Sequence, residues 1–202
     1  TIWKKAMSKD IGEDLVGAWL RLIAECDFVQ YNVPLRGKQG EIDIVGINLA
    51  QKTAYICEVA THTGGLQYVK GSKPNNVDKI TRKFQDDVAY ARKYLADFQH
   101  RFMPWSPVVI HPHSDTTKYN QFQDLIDIRR NLRDSHQADI EMVVNEIYLE
   151  RVTQLQHKAT KETAASEYPV FRLLQILHSL ENHVKKLQAR GIDTAAVLAQ
   201  AE

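Results

Sequence analysis

The chain divides into stretches whose apolar residues recur every three or four positions and shorter stretches where apolar residues alternate or run together. Between residues 12 and 26, Leu15, Ala18, Trp19, Leu22, Ile23 and Cys26 keep the helical interval, which predicts an amphipathic helix with Glu13 in its first turn. FVQYNVP at 28–34 reads as a strand stopped by Pro34, and RGKQG at 36–40 as a glycine-bracketed turn. EIDIVGIN at 41–48 and AYICEVA at 54–60 are two further strands, joined by a polar turn at 50–53. The segment 61–76 is rich in Gly, Lys and Asn without periodicity, so it is expected to be an exposed loop.

A long helix is predicted from Asn76 to about residue 99, with Val77, Ile80, Phe84, Val88, Ala91, Tyr94 and Leu95 on one stripe and Pro104 helping to end it. SPVVIHP at 106–112 reads as a short buried strand, 120–133 as a helix, and 139–149 as a strand or a strand-to-helix transition. Pro169 opens and Gly191 closes a final helix, with Val170, Leu173, Leu174, Leu177, Leu180 and Val184 in helical register. Its leucine stripe is core or a dimer contact. The order of elements predicts an α/β fold: a mixed central sheet flanked by helices. An α/β core over 1–150 is expected, followed by a helical C-terminal extension over 151–202 that packs on the core or makes a homodimer.

Composition narrows the class without naming a function. With 202 residues, 44% apolar and 25% charged, the chain suits one globular domain and is not wholesale disordered, collagen-like or coiled coil. The net charge of +1 gives no global basic field, yet residues 65–105 carry eight Lys and Arg against four Asp, a local +4. Cys26 and Cys57 lack metal-type spacing and sit in apolar patterns, as buried thiols do in a reducing cytoplasm. No apolar run is long enough to span a bilayer and no secretory core opens the chain, so a soluble cytoplasmic protein with no membrane partner is expected.

Strand alternation brings in the chemistry. Glu41, Asp43 and Val45 share one face of their strand, Ile42 and Ile44 the other; Ile56, Glu58 and Ala60 share a face of the next. If the two strands form a hairpin, Asp43 and Glu58 meet on one side of the sheet. Two ionised carboxylates in apolar surroundings repel unless a hard cation lies between them, and Mg²⁺ takes few protein carboxylates together with water and phosphate oxygens.

Gly12-Glu13 opening a helix, Gly40-Glu41-Ile42-Asp43-Ile44-Val45, and Ile56-Cys57-Glu58-Val59 resemble the core of the PD-(D/E)XK nuclease superfamily, home of restriction endonucleases and junction resolvases. The resemblance spans roughly residues 10 to 100, about half the chain. It implies a restriction-endonuclease-like core and an endonuclease using Mg²⁺ or Mn²⁺ on DNA rather than RNA, in restriction, defence or repair. Asp43 would be the metal-binding Asp, Glu58 the acidic member of the D/E-x-K element, Glu13 the helical Glu near the site, and the Val59 carbonyl a further metal ligand.

The departure is Ala60, which stands where the resemblance expects a lysine to orient the nucleophilic water and offset transition-state charge. Three explanations stand. A lysine comes from elsewhere, with Lys79 and Lys83 one turn apart on the following helix and Lys38 before the second strand as candidates. Alternatively, His62 substitutes or Ala60 is an inactivating change. Otherwise the chain is a non-catalytic nucleic-acid-binding or assembly module with the nuclease fold. Lys38, Lys70, Lys73, Lys79 and Lys83 are the candidate phosphate contacts. His111-Pro112-His113 lacks a third ligand nearby and is a weak metal signal. Trp3, Trp19 and Trp105 read as core or interface.

Overall fold

The computed structural model describes residues 10–111 and 120–194, which form a mixed α/β arrangement with helices on both faces of one sheet. In chain order the elements are α1 (Ile11–Leu22), β1 (Phe28–Pro34), β2 (Glu41–Asn48), β3 (Thr53–Val59), β4 (Val69–Lys70), β5 (Lys73–Pro74), α2 (Asn76–Tyr94), β6 (Gln99–Ser106), α3 (Gln121–His136), β7 (Val143–Val144), α4 (Asn145–Lys161) and α5 (Pro169–Ala189). Five strands make the main sheet in the order β1-β2-β3-β6-β7. The first three are antiparallel neighbours, whereas β3, β6 and β7 run parallel. Strands β4 and β5 form a separate small hairpin within the 61–76 segment.

Alternation along the strands splits the core into two layers. Ile44, Cys57, Met103 and Trp105 meet Val16, Trp19 and Leu20 of α1, Leu155 and Ala159 of α4 and Phe171 of α5. On the other side Val45, Ala54, Ile56 and Phe102 meet Ile80, Phe84, Val88 and Ala91 of α2 and Ile128 and Leu132 of α3. Trp19 and Trp105 pack edge to face with ring centroids 5.4 Å apart, while Trp3 lies outside the described residues. Burial pushes both thiols up, Cys26 to about 12, which makes them unreactive core groups.

Several expectations are corrected. The strand after α2 is β6, not 106–112: Pro107 to His111 are irregular, and Pro112 and His113 lie outside the described residues. Pro104 sits inside β6. The Phe102 carbonyl accepts from Glu141 on the β7 side and the Trp105 carbonyl accepts from Ala60 on the β3 side. Alternation therefore turns the Pro104 nitrogen towards β7, where pairing lapses between the Ile140 bridge and Val143, and no ladder bond is lost. Helix α1 stops at Leu22 rather than Cys26, because Glu25 turns the chain with φ 53°. Helix α2 stops at Tyr94 rather than near 99, leaving Gln99 free to start β6. Ile42 joins the α2-side core with Val33 and Leu35 instead of following Ile44.

Segment 139–149 is a strand-to-helix transition, and the resulting α4 runs to Lys161, so the expected boundary at 150/151 falls inside it. The α4 and α5 helices share the α1-side core. Among the described residues, no helix is long and apolar enough to cross a membrane.

Candidate functional site

Antiparallel pairing of β2 with β3 matches Ile44 to Cys57 and Val45 to Ile56, and one step further along the same register sets Asp43 opposite Glu58. Both carboxylates face α2, the helix that carries Lys83. Lys83 Nζ lies 3.5 Å from Asp43 Oδ1 and forms a direct ion pair with Glu58 Oε2. Asp43 is held from behind as well, since Oδ2 accepts the Val59 N–H at 2.7 Å. That bond fixes the carboxylate plane while Oδ1 stays on the Lys83 side.

A fourth group, absent from the sequence-based candidates, joins them. Asp87, one helical turn beyond Lys83, is 1% exposed and interacts directly with Glu58. Burial first, then repulsion from Asp87 and Asp43, raises the Glu58 carboxyl far above its ordinary range, with Lys83 opposing the rise. Burial raises Asp87 too, against its contacts with Glu58 and Lys83. Burial works against the Lys83 charge, yet Glu58 and Asp43 outweigh it and hold the ammonium firmly protonated. The signal for Asp87 was in the sequence: it occupies the same stripe as Ile80, Phe84 and Ala91, where an acid has no packing reason to be.

Glu13 approaches from α1. Asp10 caps that helix by accepting the Gly12 N–H at 2.8 Å, and a Cβ on Gly12 would collide with Thr61 Cγ2 just past β3. This close approach brings Glu13 near enough for Asp43 to raise its carboxyl, after the larger effect of burial.

The site opens into a groove of about 340 Å³ lined by Glu41, Asp43, Glu58, Lys79, Arg82, Lys83, Asp86 and Asp87 among others. Lys79 and Arg82 also line an adjoining groove of about 310 Å³ with Tyr68, Lys70 and Asp78. In the β4–β5 hairpin Lys70 stands directly opposite Lys73, a like-charge pair that costs stability without a counter-anion. Of the candidate replacement bases, Lys83 alone is ion-paired with the two carboxylates. Lys38 pairs with Asp86, Lys79 sits on the groove wall, and His62 is exposed and lines neither groove. The Ala60 N–H donates to the Trp105 carbonyl at 2.8 Å, and Ala60 and Val59 border an apolar recess behind Glu58.

The residues fit a hard divalent cation in a limited way. Among the described residues, no three His, Cys, Asp or Glu side chains converge as a complete ligand set. Two carboxylates with an adjoining carbonyl match an ion that keeps several waters and takes phosphate oxygens, as Mg²⁺ does. Lys83 is the cation touching the buried Glu58 carboxylate, so a metal would share or displace that contact.

Comparisons with family models, with curated proteins and with solved structures return no match.

Proposed function

We propose that this chain is a divalent-metal-dependent nuclease that hydrolyses DNA phosphodiester bonds, with its lysine carried by α2 instead of by the end of β3. The observation supporting it is the convergence of Lys83 on Asp43 and Glu58, which returns to the carboxylate pair the cation that Ala60 lacks. Mg²⁺ or Mn²⁺, when bound, supplies Lewis-acid polarisation of the phosphate and a more acidic water. Asp43, its plane fixed by the Val59 N–H, and Glu58 would hold that ion, with the Val59 carbonyl as a further ligand.

Lys83 offsets the negative charge that builds on the phosphate and orients the attacking water through its ammonium protons. Its firmly protonated state suits that electrostatic role and not that of a base. Glu13, with its raised carboxyl, is placed to take or give a proton at the edge of the site. Lys79, Arg82 and Lys70 line the path away from the carboxylates and would carry the flanking phosphates.

The test is cleavage of plasmid, single-stranded DNA and RNA with Mg²⁺ or Mn²⁺, by the parent and by Asp43→Ala. Metal-dependent DNA cleavage that vanishes in Asp43→Ala is the expected result. DNA binding without cleavage by either protein would sink the nuclease reading in favour of a binding module, and cleavage of RNA alone would replace the substrate.

A further inference from the structure

The turn between β1 and β2 and the far half of α2 enclose a cleft of about 190 Å³ that continues the candidate site, since Leu35 and Asp86 line both. Arg36 and Lys38 enter the cleft from the turn, and Tyr90, Lys93 and Tyr94 from the helix. The turn has a built shape. The Leu35 N–H donates to the Gly40 carbonyl at 3.0 Å, and Gly37 takes φ 78°, a backbone that favours glycine. It sets Arg36 against Tyr94 and Lys38 against Asp86.

Tyr94 stands outside both core layers, whereas its neighbour Tyr90 packs against the α2-side layer. It is 37% exposed and tilted against Tyr90, with ring centroids 4.8 Å apart. The Arg36 guanidinium carbon lies 5.1 Å and Lys93 Nζ 5.2 Å from the centre of its ring. Lys38 is neutralised by Asp86, but among the described residues Arg36 and Lys93 make no ion pair and meet the Tyr94 ring instead. The cleft therefore joins uncompensated positive charge to an exposed aromatic surface. Free phosphate or an acidic peptide answers the charge alone. A nucleotide with an unpaired base answers both, its phosphates meeting the cations and its base the ring, while a duplex keeps its base faces stacked on one another.

We infer that this cleft binds single-stranded DNA, with a base stacked at Tyr94 and the flanking phosphates on Arg36 and Lys93. The inference rests on the nuclease reading and names its substrate class, a strand that is unpaired beside the cut. Continuity carries the strand onward: Lys79, Arg82, Asp86, Tyr90 and Lys93 recur at three- and four-residue intervals, so one face of α2 runs along the cleft and both grooves. From Lys83 to Tyr94 is roughly 16 Å of helix. That distance sets the stacked base a few nucleotides from the carboxylates. Arg36 now covers the Tyr94 ring, and its long side chain can yield the ring to a base and follow the phosphate.

Fluorescence anisotropy of labelled oligo(dT), oligo(rU) and a DNA duplex of equal length, in EDTA at one salt concentration, reads the inference on the full chain. The parent is expected to bind oligo(dT) more tightly than the duplex or oligo(rU). Tyr94→Ala should weaken oligo(dT) binding roughly tenfold and duplex binding little, and Tyr94→Phe, which keeps the ring, should match the parent. Arg36→Gln, on the turn, should also weaken oligo(dT), which keeps the test decisive if Tyr94→Ala frays the end of α2. A duplex or oligo(rU) bound as tightly as oligo(dT), equal weakening of single strand and duplex by Tyr94→Ala, or both variants binding like the parent would each overturn the inference. Chelation keeps cleavage out of the reading. Tyr94-dependent binding by a chain that cuts nothing would remove the nuclease reading alone, and metal-dependent cleavage with Tyr94-independent binding would remove this inference alone.

Discussion

Lys83 Nζ lies 3.5 Å from Asp43 Oδ1, a contact between residues forty positions apart that belong to a helix and to the strand it packs over. The same ammonium meets Glu58, so one cation answers two carboxylates delivered by adjacent strands. If that charge is the nuclease's lysine, Lys83→Met should lower metal-dependent cleavage roughly 100-fold or more while DNA binding survives. Returning the lysine to the strand, as Ala60→Lys in the Lys83→Met background, should recover part of kcat. Single-turnover cleavage at saturating DNA measures both, and full activity in Lys83→Met would remove the residue from the chemistry.

Asp87 makes stability depend on pH. Its carboxyl is raised by burial to about 7 in the folded protein, so the native state keeps a proton that the unfolded chain has already released. Its effect is thus to lower stability as pH rises from the ordinary carboxylate range to neutrality. Asp87→Asn removes one of the competing charges and should stabilise the protein by about 1 to 3 kcal/mol at pH 8, with little change at pH 4. Urea unfolding at the two pH values checks the sign; destabilisation at pH 8 would contradict it.

Phe84 is fully buried beside Lys83 and anchors α2 on Ile56 and its neighbours. Phe84→Ala should cost about 3 to 5 kcal/mol in unfolding free energy. In whatever fraction stays folded, the Lys83 contact should loosen, so if the proposed nuclease reading holds, cleavage should fall by more than the unfolded fraction accounts for. Denaturant titration combined with activity per folded molecule separates the two effects.

Lys79 and Arg82 face both grooves. If they meet backbone phosphates, Lys79→Ala and Arg82→Ala should each reduce the slope of log K against log[salt] by about 1, uniformly across DNA sequences. An unchanged slope would place the nucleic acid elsewhere.

Much of this was legible in the chain, for identifiable reasons. The bounds of β1 and β2 follow from the sequence itself, because alternation is sharp and Pro34 and Gly40 punctuate them. Alternation also brought Asp43 and Glu58 to one face, and helical spacing put Lys83 among the candidates to join them. Choosing Lys83 over Lys79, Lys38 and His62 needed the rotation of α2 about its axis, which tertiary packing sets. β6 was hidden by Pro104, whose breaker role depends on which neighbour its missing N–H faces. Asp87 escapes a reading of the sequence because a single acid in an apolar stripe is indistinguishable from noise until the groups around it are known.

The placement of the Lys83 charge on α2 changes what a damaged site looks like. In a strand-borne arrangement acid and lysine sit two residues apart on one backbone, and distance between them survives almost any distortion elsewhere. Here it is a property of docking. A rotation of α2 by one residue, about 100° about its axis, would carry the ammonium away from Asp43 with every side chain intact. Substitutions under the helix should thus act like substitutions in the site, and suppressors of a lost function should be sought in the packing of α2 against the sheet as much as in the groove.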